Sequence, residues 1–464
     1  MPMPPKLLNI CRLLLVAFCC NADPVWAQLR LPSINLPVQQ LGNLNSQNLL
    51  NRIDRLDQLV RTDVLNGTLP LQDLRLTTIT RLLKEHPLQL ENNPKGELIV
   101  RKQITAWSPS VAALKAVRAA GFIVISEHRL ETLEETLVVL QAPPDMSTAD
   151  ALDLLHQLDQ DGTYDYNHIY LESGSAIGSS FSISSHSNFA APFDSSNSLA
   201  SSTLPETAKA NTKARIGLID SGIDTEHIVF KDAQIKRHDC TDKNIPTAHG
   251  TAVASLMVGK STPFSGVSPN AVLYAADIYC GTDTGGALDK LIDALGWLAQ
   301  EKVAVINLSL VGPPNQTLEH IVKSMLNKGY LLVAAVGNDG PAAPPLYPAS
   351  YPGVIGVTAV DAKMRVLPEA ARGAQVMIAA PGSNMVAATI GKTPFQAVRG
   401  TSFASPIVAA LLAKKVFTPN VKDAKKALED LIKQAKTDDP DKVTQELGHG
   451  IVGTSFRTGP EQFR

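Results

Sequence analysis

Short apolar runs alternate with helical patterns throughout the second half of the chain, from residue 213 onward. The runs are continuous in Val, Ile, Leu and Ala, which is typical of strands buried on both faces of a parallel sheet. Between two of them, residues 286–300 carry leucine and isoleucine along one face of a predicted helix. The pattern predicts an α/β domain over 213–464. The predicted strands are 215–219, 272–276, 303–310, 330–336, 354–360 and 376–380.

A different alternation occupies residues 96–172, where the predicted elements follow the order β-α-β-β-α-β. This order is that of a small ferredoxin-like α+β domain. Many unrelated small domains share it, so the order alone assigns no function. The predicted strands are 97–106, 122–126, 136–141 and 164–171, and the predicted helices are 110–120 and the segment after Ser147.

The segments on either side of this domain have other patterns. Apolar residues at helical spacing run through 49–60 and 74–83, so 28–95 is predicted to be a helical extension. Residues 173–212 have no apolar periodicity, and 13 of the first 31 are serine. Because proline is sparse, this composition favours a disordered linker over a glycosylated stalk.

The first 27 residues have the pattern of a secretory signal peptide. Lys6 and Arg12 flank or precede a short apolar run at 13–20, and Ala27 ends the segment with a small residue. A transmembrane anchor is the alternative, but the run is shorter than the roughly 20 residues that a bilayer requires. We therefore expect a secreted or periplasmic protein with no membrane segment after cleavage.

Composition and charge narrow the function further. The 464 residues are 44% hydrophobic, which indicates a globular protein of more than one domain. The formal charge of −2 gives no electrostatic footprint for nucleic acid. Signal cleavage would remove Cys11, Cys19 and Cys20 and leave Cys240 and Cys280. In an oxidising compartment these two form one disulfide, or else they remain two buried thiols.

Three residues with potential catalytic side chains stand at the ends of predicted elements in the α/β domain. Asp220 follows the first strand, His249 begins a helix, and Ser402 begins another helix after a turn with glycine. Taken singly, each is more often a cap, a turn former or a structural residue. Ligand sites in open α/β sheets lie beyond the carboxyl ends of the strands, so the three can converge there. Their order along the chain is one of the known orders of a serine catalytic triad.

The sequence around these residues resembles the subtilisin-like serine proteases, the subtilases. The segments that carry the likeness are IGLIDSGID at 216–224, HGTAVA at 249–254, VINLSL at 305–310, AAVGNDG at 334–340, YPASYP at 347–352, GTSFASP at 400–406 and GHGIV at 448–452. The resemblance covers about 213–453 and implies a three-layer α/β fold with a mainly parallel sheet. It also implies endopeptidase activity on polypeptides.

The resemblance implies a role for each matching residue. Ser402 is the expected nucleophile, His249 its general base, and Asp220 the group that orients the imidazole. Asn338 is the expected side-chain donor of the oxyanion hole. The substrate-binding residues that the resemblance implies are Ser309, Leu310, Val311, Gly337, Gly285 and Gly286.

Some positions depart from the family pattern. Val311 and Leu346 are bulkier than the residues often found there, so we expect a shallow pocket for small or medium apolar residues. The loop at 259–266 lacks the asparagine-rich calcium run of secreted subtilisins. Calcium is therefore possible but not supported by the sequence, and no metal or other cofactor is expected.

Beside such a protease, the ferredoxin-like order at 96–172 resembles the N-terminal propeptides with which subtilases are often made. The serine-rich segment would then hold the maturation site, because exposed flexible segments are readily cut. We expect a monomeric zymogen whose partners are polypeptide substrates and its own propeptide-like domain. The alternatives are a domain that stays attached, a latent protease with a regulatory role, and a non-catalytic binding module. The four intact active-site residues argue against the last.

Overall fold

The computed structural model describes residues 71–173, 175–181, 213–240, 243–391, 393–437, 439 and 442–463. These residues all belong to one compact unit, Thr62–Arg464. The predicted signal peptide and the apolar stripe at 49–60 lie outside the described residues. Within the described ranges, no helix has both the length and the apolar character needed to cross a membrane.

An antiparallel sheet with helices packed against it forms the first part of the described chain. Its four central strands are those of the predicted β-α-β-β-α-β unit. Counted along the chain, they lie side by side in the order fourth, first, third, second, and all neighbours are antiparallel, as in a ferredoxin-like fold. The elements are α1 (Leu71–Glu85), β1 (Leu90–Asn92), β2 (Leu98–Trp107), α2 (Val111–Ala119), β3 (Ile123–Leu130), β4 (Glu135–Gln141), α3 (Thr148–Leu158) and β5 (Thr163–Glu172).

Serine caps begin both helices that lie between these strands. The hydroxyl oxygen of Ser110 accepts the N–H of Ala113, and Ser147 does the same for Asp150. Each hydroxyl satisfies one of the backbone donors that a helix start leaves without a partner. The buried faces of α2 and α3 then pack on the sheet in one apolar cluster.

Helix α1 and strand β1 extend this sheet on the N-terminal side. β1 pairs with β2, so the last residues of the predicted helical extension join the sheet. Leu82 of α1 is buried in a small cluster with Leu98 of β2 and Ile169 of β5. Helix α1 therefore packs on the strand that leads into the second part of the chain.

A seven-stranded, entirely parallel sheet is the centre of the second part, with the order β15-β14-β13-β11-β7-β9-β8. The elements are β6 (Ser175–Phe181), β7 (Arg215–Asp220), β8 (Gln234–Asp239), α4 (Ala248–Val258), β9 (Val272–Asp277), β10 (Gly286–Ala287), α5 (Leu288–Gln300), β11 (Val305–Leu308), β12 (Leu310–Val311), α6 (Gln316–Asn327), β13 (Leu331–Ala335), β14 (Ile355–Val360), β15 (Ile378–Pro381), β16 (Met385–Ala388), β17 (Phe395–Arg399), α7 (Thr401–Ala413) and α8 (Val421–Ile432). Short 3-10 helices occupy Ile228–Phe230, Thr454–Phe456 and Pro460–Phe463.

Helices cover both faces of this sheet and make three layers. Leu218 of β7 is buried in a cluster with α4, α7 and α8, whereas its neighbour Ile219 is buried in a cluster with α5 and α6. Successive strand residues point to opposite faces, so a strand with helices on both sides must be apolar throughout. This explains the continuous apolar runs in the sequence.

Several strands differ from the sequence prediction, and the short strands β1, β10, β16 and β17 were not predicted at all. The run predicted as one strand at 303–310 divides, because β11 stays in the parallel sheet and β12 pairs with β5. The edge strand β8 was not predicted, since its sequence QIKRHD is mostly polar. Where the sequence predicted a linker without regular structure, β6 pairs with β17.

The ferredoxin-like sheet packs directly against helices α5 and α6. Trp107, Leu130 and Tyr170 share an apolar cluster with both helices. Two side chains of β5 also accept hydrogen bonds from backbone N–H groups at the starts of α5 and α6. The Asn167 amide oxygen accepts from Asp289 at 3.2 Å, and an Asp165 carboxylate oxygen accepts from Gln316 at 2.8 Å. These contacts direct the end of β5 towards the carboxyl ends of the parallel strands.

Candidate active site

Asp220 and His249 meet where strand β7 ends and helix α4 begins. The Thr247 hydroxyl oxygen caps α4 by accepting the N–H of Gly250 at 3.1 Å. A Cβ on Gly250 would lie 2.2 Å from the carbonyl oxygen of Ser221, so only glycine permits this close approach of helix and strand. As a result the Nδ1 of His249 lies 2.8 Å from the Oδ1 of Asp220, and both side chains are buried.

The buried imidazole of His249 is surrounded by negative charge. Burial lowers its pKa, but the charges of Asp220 and Glu172 and the hydrogen bond to Asp220 outweigh burial and raise the pKa to about 9. The Oδ1 of Asp220 also accepts the N–H of Ser221 at 2.7 Å. The Nε2 of His249 is buried and has no hydrogen-bond partner among the described residues.

Ser402 is the second residue of helix α7 and is completely buried. Two residues before it, Gly400 caps the helix with a φ of 139°, in the region that favours glycine. The backbone N–H of Ser402 donates to the carbonyl oxygen of Ser173 at 2.9 Å, and its Oγ donates to the same oxygen. No hydrogen bond joins Ser402 to His249 within the described part of the chain. The hydroxyl is therefore directed at a peptide carbonyl.

The side chain of Asn338 also contacts Ser173. Its Nδ2 donates to the Oγ of Ser173 at 3.0 Å, and its Oδ1 accepts the N–H of Thr401 at 3.1 Å. The neighbouring Gly337 donates its N–H to the Thr401 hydroxyl at 3.2 Å. These bonds hold an amide donor beside the residue whose carbonyl faces Ser402.

The end of strand β5 lies between two short strands of the second part. Tyr170 pairs with Gly286 of β10, and Glu172 pairs with Leu310 of β12, both antiparallel. The end of β5 thus has backbone partners on both edges. An extended peptide that binds by strand addition is held in the same way, by backbone hydrogen bonds along one or both edges.

The sequence-predicted binding residues lie around this strand. Val311 pairs with Leu171, and a Cβ on Gly285 would lie 2.6 Å from the Ile169 side chain. Ser309 is buried, and its hydroxyl donates to the carbonyl oxygen of Ser402 at 2.9 Å. The structure thus brings the residues predicted from the family resemblance together around one extended segment.

The space beside Gly337 is narrow. A Cβ on this residue would lie 2.6 Å from the Cδ1 of Leu346 and 3.7 Å from the Cγ1 of Val311. Both of these side chains are buried. The two bulky residues singled out in the sequence therefore fill the space next to Gly337.

Sequence reasoning missed two groups that complete this site. Ser173 was placed in the linker, and Glu172 at the end of the preceding domain, with no chemical role. The Ser221 hydroxyl lies 2.8 Å from the Oε1 of Glu172 and 2.6 Å from the Thr247 hydroxyl. The sequence carried no signal for Glu172 itself, because its partners lie in a distant part of the chain. The available hint was its partner Ser221, a hydroxyl-bearing residue directly after Asp220.

A disulfide joins Cys240 and Cys280. The cysteines follow the adjacent parallel strands β8 and β9, in which Asp239 pairs with Asp277. Parallel neighbours end at the same edge of a sheet, so residues just beyond them come within bonding distance. The bridge lies at the edge where Asp220 also ends its strand.

One group of three side chains in the described residues is compact enough to hold a metal ion. The ligand atoms of Glu172, Asp220 and His249 all lie within 4.8 Å of one another. His249 already bonds to Asp220. Glu172 lies at the end of β5, in the space between β10 and β12 that we call the cleft. The arrangement fits proton transfer better than metal binding.

The three-layer fold and the Asp–His pair at the strand ends define a subtilisin-like protein. The structure is similar to that of fervidolysin from Fervidobacterium pennivorans, a keratinolytic enzyme related to subtilisin, with a TM-score of 0.60. The likeness covers 79% of this chain and 62% of that chain at 18% sequence identity, and so it concerns the fold alone.

Sequence comparison gives the family. The Subtilase family profile matches residues 211–450, more than half of the chain, and the chain belongs to this family. The thermophilic serine proteinase of Bacillus sp. (strain AK1) is 34% identical over 216 residues, which are 45% of this chain and 53% of that protein. Subtilisin E of Bacillus subtilis (strain 168) is 31% identical over 211 residues, which are 44% of this chain and 55% of that protein. The matched region thus spans about half the length of these relatives.

Proposed function

We propose that the protein is a serine endopeptidase, made as a zymogen, with Asp220, His249 and Ser402 as its catalytic triad. The observation that carries this proposal is the position of Ser173, whose carbonyl oxygen accepts from both the N–H and the Oγ of Ser402. The family membership and the buried Asp–His pair support the same reaction. We further propose secretion or a periplasmic location, which the disulfide supports.

The first chemical step forms an acyl-enzyme. The Oγ of Ser402 attacks the carbonyl carbon of the scissile residue while the Nε2 of His249 takes its proton. Asp220 keeps the other ring nitrogen protonated and stabilises the imidazolium through the 2.8 Å contact. Negative charge then develops on the carbonyl oxygen, where the Ser402 N–H and the Asn338 amide donate.

The second step releases both products. The imidazolium of His249 gives its proton to the leaving amine as the C–N bond breaks, and the new N-terminus departs. Water then attacks the ester carbonyl and loses a proton to His249, which returns the proton to the Oγ of Ser402. This regenerates the free serine and gives a carboxylic acid.

The first substrate in this proposal is the chain itself. The end of β5 lies antiparallel to β10 and β12 and stops with Ser173 against Ser402, so the scissile bond is Ser173–Gly174. The part of the chain before this bond, which includes residues 71–173, is then the propeptide, and the maturation site lies at the start of the serine-rich segment. The narrow space between Gly337, Leu346 and Val311 supports a preference for small residues such as serine at the primary position.

Mass analysis of the purified wild-type and Ser402→Ala chains over time tests the proposal. The wild type is expected to yield a product that begins at Gly174, and the variant is expected to stay intact. A fluorophosphonate probe should label Ser402 in the product. If neither self-cleavage nor labelling occurs, even after limited proteolysis by another enzyme, the chain is a binding module and the proposal fails.

A second candidate is a latent protease that another protein or protease releases. The contact that favours it is the ion pair between Arg75 of α1 and Asp339, with Nη1 and Oδ2 separated by 3.2 Å. Together with the burial of Leu82 against the end of β5, it adds an anchor for the propeptide-like domain. The latent form predicts a stable full-length wild type that the probe labels only after added proteolysis.

A further inference from the structure

The carboxylate of Glu172 lies against the Asp–His pair, and the proposed reaction does not use it. Its Oε1 is 2.8 Å from the Oγ of Ser221 and 3.9 Å from the Nδ1 of His249. Glu172 directly precedes Ser173, so this contact exists only while the chain occupies the cleft. The side chain is one-third exposed, which places its carboxylate at the rim of the site.

A short chain of hydroxyl groups leads to this carboxylate. The Oγ of Ser221 lies 2.6 Å from the Oγ1 of Thr247 and can donate its single proton to Glu172 or, at 3.1 Å, to Asp220. Carboxylates only accept, so the proton of Ser221 goes to one of them and Thr247 must donate to Ser221. With Glu172 at the shorter distance, the chain runs from Thr247 through Ser221 to Glu172.

The charge around His249 follows from the same arrangement. Asp220 faces the imidazole from β7, and Glu172 faces it from β5. Asp277, the last residue of β9, and Tyr279 just beyond it lie nearby, and burial together with the negative charge of Asp220 raises the pKa of both. Two carboxylates beside one ring stabilise its protonated form, and a protonated imidazole cannot accept the proton of a serine hydroxyl.

We propose that Glu172 is a positioning residue. Its carboxylate holds the end of β5 in the cleft and slows cleavage of the Ser173–Gly174 bond. An acidic side chain directly before the scissile residue is anchored by Ser221 and keeps His249 protonated. The inference rests on the proposed function and adds a substrate class to it. Peptides with an acid at this position bind well and are cut slowly near neutral pH, whereas neutral residues there give faster cleavage.

The pH dependence of self-cleavage tests this in the full-length chain. Glu172→Gln keeps the shape and an acceptor oxygen but removes the charge, so the rate at pH 7 is expected to rise about five- to tenfold. The midpoint of the rate–pH profile should move down by about one pH unit. Glu131→Gln is the matched control, since Glu131 is 73% exposed and its nearest ionic partner is Arg129 of the same domain.

Peptides separate binding from chemistry in the matured enzyme. A peptide with the sequence Ile-Tyr-Leu-Glu-Ser-Gly should show a lower KM and a lower kcat at pH 7 than its Gln counterpart. At pH 10 the two kcat values should converge, because His249 is then neutral with either peptide. Equal KM and kcat values at pH 7 would contradict the inference.

Two further outcomes distinguish this inference from the proposed function. If wild type and Glu172→Gln cut themselves with the same pH profile, Glu172 has no such role although the protease assignment stands. If no chain cleaves itself, the protease assignment fails, but nuclear magnetic resonance of the Ser402→Ala chain still tests the role of Glu172. There the imidazole of His249 should titrate at lower pH with Glu172→Gln, and an unchanged titration would overturn the inference.

Discussion

The amide of Asn338 donates to the side-chain hydroxyl of Ser173, with the Nδ2 and Oγ atoms 3.0 Å apart. The carbonyl oxygen of the same residue accepts from Ser402 instead. The proposed oxyanion donor is therefore beside the scissile carbonyl but engaged by a neighbouring acceptor. When the carbonyl carbon becomes tetrahedral and its oxygen negative, that oxygen becomes the stronger acceptor for the amide.

Asn338→Ala is expected to slow self-cleavage by about 10²–10³, the loss typical of one oxyanion donor. The rate of appearance of the product that begins at Gly174 measures this. Ser173→Ala is the matched control, because it removes only the competing hydroxyl and should leave the rate equal or somewhat higher. An Asn338→Ala chain that cuts itself at the wild-type rate would show that the amide does not serve the transition state.

Ser173→Phe is expected to slow self-cleavage by at least about tenfold, because the wall beside Gly337 is filled by Leu346 and overpacking strains a buried site. The combined change with Leu346→Ala should recover most of the rate by opening the pocket. A full recovery of the rate by Val311→Ala, with none from Leu346→Ala, would show that Val311 and not Leu346 restricts the pocket. Mass analysis of the chain over time follows all three rates.

The places of Asp220, His249 and Ser402 in the fold could be predicted because each lies in a short local segment. Asp220 ends an apolar strand, and His249 and Ser402 begin helices, so local sequence determines where each side chain stands. Apart from its polar edge strand β8, the parallel sheet was predictable for the same reason, since burial on both faces requires uninterrupted apolar strands.

The contacts of Glu172 and Ser173 could not be predicted in this way. They depend on the docking of one domain on another, through groups as far apart in sequence as Asn167 and Asp289. The serine-rich composition also concealed β6, which pairs with β17. Local pattern carries no information on which strand edge lies open to receive such a segment.

The stability of the precursor is expected to fall as the pH rises from 6.5 to about 9. Burial opposes protonation of His249, but Asp220 and Glu172 raise its folded pKa to about 9 from an ordinary value of 6.5. A raised folded pKa stabilises the fold fully below pH 6.5, and this stabilisation is lost as the pH approaches 9. The expected decrease is up to about 3 kcal/mol in the free energy of unfolding.

Urea unfolding of the Ser402→Ala chain at several pH values measures this decrease without interference from self-cleavage. The matched control is the same chain with His249→Gln, which should lose that part of the pH dependence. Identical slopes with and without His249 would mean that the imidazole does not carry the effect.

Replacing both Cys240 and Cys280 by serine is expected to lower the free energy of unfolding by about 4 kcal/mol, because the bridge closes a long loop in the unfolded chain. The two cysteines are 40 residues apart in the sequence. Denaturant unfolding in the Ser402→Ala background gives the value. A loss no larger under oxidising conditions than in the presence of a reductant would indicate that the bridge does not form in solution.

Breaking the ion pair between Arg75 and Asp339 is expected to release the cleaved N-terminal segment sooner. Both side chains are only 20% exposed, so the pair is better shielded than a fully solvated one, and a coupling of about 0.5–1 kcal/mol is expected. This corresponds to release about two- to fivefold faster in Arg75→Ala, seen as a shorter lag between self-cleavage and activity on an added peptide. Arg81→Ala is the control, since Arg81 pairs with Glu85 within the same helix. An equal lag in both variants would show that helix α1 holds the segment through its apolar face alone.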